Sequence, residues 1–156
     1  MDTQTIFIPK EKTPTLKGNV FTWSLGENTI IADKSLFYLH FFLPTGEKSW
    51  AFSGSTGRLE EENLFVFGFS VPYIDEEVFD NSYTMEGGLH FYHGHSIPAP
   101  EGFYGYRTVT ADSAELSVRL DPVKGTAHGD FTAVFETLGD WLYPRGTFNL
   151  SRTDKN

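Results

Sequence analysis

The residues best placed to do chemistry are three histidines in one short segment. His90, His93 and His95 lie within LHFYHGHS, and Glu101 follows at the far side of a stretch that contains proline and glycine. On an extended backbone His93 and His95 share one face, while His90 points to the other. Two such imidazoles supply half of a site for a divalent transition metal, with Glu101 and His90 as candidate further ligands. The alternative is that these histidines only make ordinary hydrogen bonds.

The spacing of these residues resembles the first motif of the cupins, small β-barrels in which two histidines follow a glycine and precede a glutamate. The residues concerned are Gly87, His93, His95 and Glu101. A partial counterpart of the second cupin motif is formed by Gly139, Pro144 and Gly146. Asn149 stands where the family has its last metal-binding histidine, and the glutamate comes later than in the family. The resemblance implies a metal-dependent enzyme, which is the second of two functional hypotheses.

The aromatic residues suggest a different kind of site. The chain has 15 Phe, 7 Tyr and 3 Trp. The candidate lining residues for a ligand are Tyr92, Tyr104, Tyr106 and Trp23, with Trp50 and Trp141. Ligand sites are mostly apolar with a few polar anchors, although most aromatic side chains of a small β-domain fill its core. The leading hypothesis is therefore a non-catalytic binding domain whose interior, a cavity on the order of several hundred Å³, accepts a small apolar or aromatic ligand.

Several other chemistries find no support in the sequence. The chain has no cysteine, which excludes disulfides, thiolate metal sites and a cysteine nucleophile. No serine lies in a Gly-x-Ser-x-Gly elbow, and the glycine-containing segments lack the lysine and helix of a phosphate-binding loop. No catalytic residue can be named on these grounds.

Charge limits the partners. The 21 acidic residues exceed the 12 Lys and Arg, which gives a net charge of −9. Nucleic acid and anionic membranes require basic patches, so neither is an expected partner. The sequence shows no apolar stretch long enough for a signal peptide or a membrane span, and the expected location is the cytoplasm.

Period-two alternation of apolar residues predicts the fold. Phe21, Trp23 and Leu25 share one face of a strand, and Leu116, Val118 and Leu120 share one face of another. About eight or nine such strands, separated by turn residues, predict an all-β antiparallel domain over residues 1–156. We expect a calycin-like up-and-down barrel in which strand 146–152 closes the sheet, or alternatively a jelly-roll or cupin-like sandwich. Only the acidic segment 74–79 suggests a helical turn.

One predicted strand, residues 35–43, is apolar on both faces. Its outer face would carry Leu36, Tyr38 and Phe42. An apolar outer face favours cover by another chain, so a homodimer is an expected assembly.

Overall fold

A computed structural model describes residues 18–137, 139 and 141–154 of the chain, and within them the fold is almost entirely β. The only other regular element there is a short 3-10 turn, Met85–Gly87. The strands are β1 (Val20–Leu25), β2 (Asn28–Ile31), β3 (Lys34–Phe42), β4 (Glu47–Thr56), β5 (Phe65–Pro72), β6 (Phe79–Thr84), β7 (His90–Ile97), β8 (Gly105–Thr110), β9 (Ser113–Asp121), β10 (Thr126–Val134) and β11 (Arg145–Ser151). Among these residues no helix has the length and apolar character needed to cross a bilayer.

Six of the strands form one antiparallel sheet in the order β2-β1-β11-β10-β9-β6. The turn sequence Asp121-Pro122-Val123-Lys124-Gly125, between two segments of matching alternation, predicts a hairpin, and β9 and β10 do form one, with Asp121 opposite Thr126. Asp121 stabilises the turn because its Oδ1 accepts the backbone N–H groups of Val123 and Lys124 at 3.0 and 2.9 Å. Strand β11 lies between β1 and β10, so it joins the β1–β2 hairpin to the β9–β10 hairpin.

The other five strands form a second antiparallel sheet in the order β3-β4-β5-β7-β8. The chain first crosses from the first sheet to the second at residues 32–33 and makes its last return at residues 111–112; between these crossings it visits the first sheet once, to form β6. At the first crossing Ala32 donates to Phe21 O in one sheet, and Asp33 donates to Ser55 O in the other. The polypeptide therefore turns a corner between the sheets without a long loop.

The all-β antiparallel prediction is confirmed, but the prediction of a closed barrel is wrong. The described strands pair into two separate sheets, and no edge strand of one sheet pairs with an edge strand of the other. A two-sheet sandwich, the alternative interpretation, fits this arrangement. Alternation along a strand reports which side is buried, not whether sheet edges meet, and both architectures bury one face of each strand.

The acidic segment expected to form a helical turn is instead a loop that leads into β6. Strand β6 pairs with β9 at the edge of the six-stranded sheet. Its middle residues Asp80, Asn81 and Ser82 are exposed, and only Phe79 and Tyr83 pack against the core. An edge strand whose middle side chains are polar lacks apolar alternation, so this pattern does not predict the strand.

The core lies between the two sheets and consists largely of aromatic rings in mutual contact. Phe131 of the six-stranded sheet lies 5.2 Å from Phe91 and 5.4 Å from Phe69 of the five-stranded sheet, measured between ring centroids. Phe37 stacks on Phe52 at 4.8 Å with an interplanar angle of 4°. Burial of such rings is the main source of stability in a domain without covalent cross-links.

Candidate functional site

The outer face of the five-stranded sheet has a floor of small side chains along its two central strands. In β4, Trp50 and Phe52 point into the core, so Ser49, Ala51 and Ser53 point outward. In β5 the outward positions beside them are Gly68 and Ser70, which pair with Ser53 and Ala51. The sheet surface is therefore low along its middle, where larger residues would normally stand.

One wall of this hollow comes from the edge strand β3. Tyr38 pairs with Ala51, and His40 pairs with Ser49. The two rings are in edge contact, with centroids 6.3 Å apart and an interplanar angle of 82°.

The opposite wall comes from Tyr92 of β7, which pairs with Gly68 and lies over it. A β-carbon on Gly68 would come within 2.2 Å of Cζ and the hydroxyl oxygen of Tyr92. Beyond it, Tyr106 of β8 lies over Gly94 in the same way, since a β-carbon there would be 2.0 Å from the Tyr106 hydroxyl. Both tyrosines occupy space that only glycine leaves open.

The floor and walls enclose a hollow of about 90 Å³, here named the outer trough. Its lining residues are Tyr38, His40, Ser49, Ala51, Phe52, Ser53, Phe69, Ser70 and Tyr92. Pockets for whole drug-sized ligands measure roughly 300–1,000 Å³, whereas a cavity of roughly 150 Å³ accommodates benzene. The outer trough is smaller than either, so it has room for part of one ring or for one short branched group, with the rest of a ligand in solvent.

The tyrosine hydroxyls around the trough stay protonated well above neutral pH. Burial raises the pKa of Tyr92, and the nearby Tyr106 and Tyr38 hydroxyls raise it further. Burial raises the pKa of Tyr106 to about 12, and burial together with Asp154 raises that of Tyr38. The Tyr106 hydroxyl is buried and has no hydrogen-bond partner among the described residues. Neutral hydroxyls and serines thus provide polar anchors beside aromatic surface.

The sequence-predicted metal ligands are only partly brought together. His93 and His95 share the inner face of β7, as predicted, with their Nδ1 atoms 3.4 Å apart. His93 is buried against Phe135, at 4.7 Å between ring centroids. His90 is exposed on the outer face, and Glu101 is exposed in the loop between β7 and β8. Within the described residues no group of three or more His, Asp or Glu side chains is placed to hold a metal ion.

Asn149, the counterpart of the last cupin histidine, belongs to the other sheet. It lies on β11 and pairs with Val20 and His128. The residues of the second partial motif therefore do not extend the histidine pair of β7.

The sequence-predicted ligand-lining residues divide among three places. Tyr92 and Tyr106 lie side by side on the outer face. Trp23 and Trp50 are buried in the core, where Trp23 contacts Phe67 at 5.3 Å between centroids. Tyr104 and Trp141 are exposed on loops.

Sequence reasoning missed Tyr38 and His40 as site residues, along with the small floor. The available signal was the run SWAFSGS, whose outward positions are all small. The homodimer expected through the outer face of β3 stays a prediction: Tyr38 lines the trough, Leu36 is half-buried and Phe42 is exposed.

The fold and site together define a two-sheet antiparallel sandwich with a shallow aromatic hollow on one outer face. Comparison with protein-family models, curated sequences and solved structures found no significant match.

Proposed function

We propose that this chain is a non-catalytic binding domain whose outer trough receives one aromatic or apolar group of a small molecule. The observation that carries the proposal is the floor of Ser49, Ala51, Ser53 and Ser70 between the rings of Tyr38 and Tyr92. Small side chains flanked by large aromatic ones leave a hollow between the two rings. An aromatic or apolar group placed there removes its own apolar surface and that of the tyrosine rings from water and packs against those rings.

The ligand is assigned to the trough rather than to the space between the sheets because aromatic side chains occupy that space. Trp23 is 1% exposed and packs edge-on against Phe67 within the shared core. The trough keeps the chemical class predicted from the sequence, a small apolar or aromatic ligand, and adds hydroxyl groups that would orient a polar substituent.

The proposal is tested by titrating isotope-labelled protein with phenol and with cyclohexanol while following backbone amide resonances. Binding in the trough shifts the amides of Ser49, Ser53 and Ser70 on a saturable curve, with phenol the tighter probe. Ala51→Trp fills the trough and should abolish these shifts.

Ser117→Trp is the matched control, because Ser117 lies on the outer face of the six-stranded sheet and is exposed. It should leave the phenol curve unchanged. Equal shifts in Ala51→Trp and wild-type protein, or shifts spread evenly over the surface, would contradict the proposal.

A second proposed function, metal-dependent chemistry at His93 and His95, is favoured by one distance. Two nitrogen ligands at roughly 2.0–2.1 Å from one tetrahedral metal are separated by about 3.4 Å, and the two Nδ1 atoms, which are within hydrogen-bond distance of each other, are 3.4 Å apart. Water would have to complete such a site. Elemental analysis of purified protein with and without His93→Ala tests it, and metal content that the substitution does not change would refute it.

A further inference from the structure

The residues after β11 cross from one sheet to the edge of the other. Arg152 N donates to Gly125 O in the turn between β9 and β10, at 2.8 Å. Thr153 N then donates to Phe37 O of the edge strand β3, at 2.8 Å. Residues 152–154 are named here the C-terminal strap, because they join the end of the six-stranded sheet to the edge of the five-stranded sheet.

The strap bonds to β3 at alternate residues. The Phe37 N–H points to Thr153 Oγ1 at 3.3 Å, and that hydroxyl donates to Phe37 O at 3.0 Å. Leu39 N donates to Asp154 Oδ2 at 3.0 Å. These bonds satisfy backbone groups on the side of β3 that faces away from β4.

A charge pair fixes the shape of the strap. Arg152 donates from Nε and Nη2 to the two carboxylate oxygens of Asp154 at 2.8 and 2.9 Å. The same guanidinium lies over the ring of Trp50, 5.1 Å from its centroid. A planar guanidinium that is both stacked and bidentate has little freedom to reorient, so it holds Asp154 in place for Leu39.

We infer that the C-terminal strap positions one wall of the outer trough and that Asp154 is a positioning residue for ligand binding. The strap holds the backbone of β3 at Phe37 and Leu39. The side chains of Tyr38, between them, and of His40, next to Leu39, lie on the outer face of the sheet and line the trough. Fixing the alternate backbone groups fixes the direction in which the side chains of Tyr38 and His40 leave the backbone. The inference rests on the proposed function, since it assigns a positioning contact to the same binding site.

The strap is expected to stay closed at neutral pH and to open in acid. Partial burial alone would raise the pKa of Asp154, but hydrogen bonds from Arg152 and Leu39 and the charge of Arg152 outweigh it and hold the pKa below its usual value. A carboxyl with a lowered pKa stabilises the fold above its unfolded pKa of about 3.9, and that contribution is lost as pH falls through the folded value. Among the described residues, Tyr38 interacts electrostatically with Asp154, and Glu76 interacts electrostatically with Arg152.

The test compares Asp154→Ala with the wild-type chain of the same length by amide hydrogen exchange and by the ring resonances of Tyr38. Loss of the bond to Leu39 should speed exchange at that amide and at Phe37 about tenfold, and should shift or broaden the Tyr38 ring signals. Asp80→Ala is the matched control, because Asp80 forms an exposed ion pair with Arg119 at 3.7 Å and lies away from β3. Unchanged exchange at Leu39 would overturn the inference.

Phenol affinity then separates this inference from the proposed function. If phenol binds the wild-type trough, Asp154→Ala should weaken it several-fold while Asp80→Ala does not, and the conservative Asp154→Asn should restore part of the loss. Undiminished phenol affinity despite faster exchange would overturn the positioning role and leave the binding function standing. If wild-type protein does not bind phenol, the binding function fails, and the Tyr38 ring signals still decide whether the strap orders the wall.

Discussion

Tyr92 lies over Gly68, and the two residues form a cross-strand pair in the centre of the five-stranded sheet. Because Gly68 has no side chain, the floor of the outer trough is low at this position. The Tyr92 ring occupies the space above the glycine. The pair therefore creates both the depth of the trough and one of its walls.

Gly68→Ala should displace the Tyr92 ring and weaken phenol binding several-fold, with little change in stability. The new β-carbon would lie 2.2 Å from the far end of the tyrosine side chain, which can swing outward. The lost packing is offset by the roughly 0.5–1 kcal/mol that alanine gains over glycine in a strand. Urea unfolding and phenol titration measure the two effects.

Gly54→Ala is the contrasting variant. A β-carbon on Gly54 would lie 2.2 Å from Cδ1 of Phe21, inside the core, where the ring is held on all sides. Overpacking of this kind destabilises by about 1–3 kcal/mol. If Gly68→Ala were the more destabilising of the two, the assignment of Tyr92 to an outer, movable wall would be wrong.

Alkaline titration should reveal tyrosines that ionise late. Burial raises the pKa of Tyr106 to about 12 and raises that of Tyr92 too. Because the unfolded chain loses these protons near pH 10 while the folded chain retains them, the linked stability is present below about pH 10 and is lost as pH rises. Phenolate absorbance should show a delayed fraction that decreases in Tyr92→Phe and Tyr106→Phe. A single transition at the ordinary tyrosine value would contradict the packed arrangement.

Phe131→Ala should destabilise the fold by about 3–5 kcal/mol, since the ring contacts several core rings and leaves a cavity when removed. Phe103→Ala is the control because that ring is 71% exposed, and its effect should fall within about 0.5 kcal/mol. Chemical denaturation measures both. Comparable values for the two variants would mean that the sheets do not share the core described.

Ending the chain at Ser151 should promote self-association. Removal of the C-terminal strap leaves the outer edge of β3 without its bonds at Phe37 and Leu39. Open strand edges pair with other chains, so sedimentation should show concentration-dependent oligomers that wild-type protein lacks or forms less readily. An identical sedimentation profile for both proteins would show that the strap does not protect this edge.

Much of the strand pattern could be predicted from the sequence because it depends on local alternation. The faces of β1 and β9, the β9–β10 hairpin and the shared face of His93 and His95 all follow from side chains at every second position. Strand β6 could not be found in this way, because Asp80, Asn81 and Ser82 are exposed at a sheet edge.

The outer trough could not be predicted because its walls meet only through the strand order. Tyr38 and Tyr92 lie on β3 and β7, which are three strand spacings apart in the sheet, at about 4.8 Å each. No local pattern places one beside the other. The same limit applies to barrel closure, which depends on whether sheet edges pair and not on which residues are buried.

The most direct test of the binding proposal is a set of isotope-filtered nuclear Overhauser measurements on the phenol complex. Binding in the outer trough should give contacts from phenol protons to the rings of Tyr38 and Tyr92 and to the Ala51 methyl group. Contacts confined to the outer face of the six-stranded sheet, around Val20 and Asn149, would contradict it.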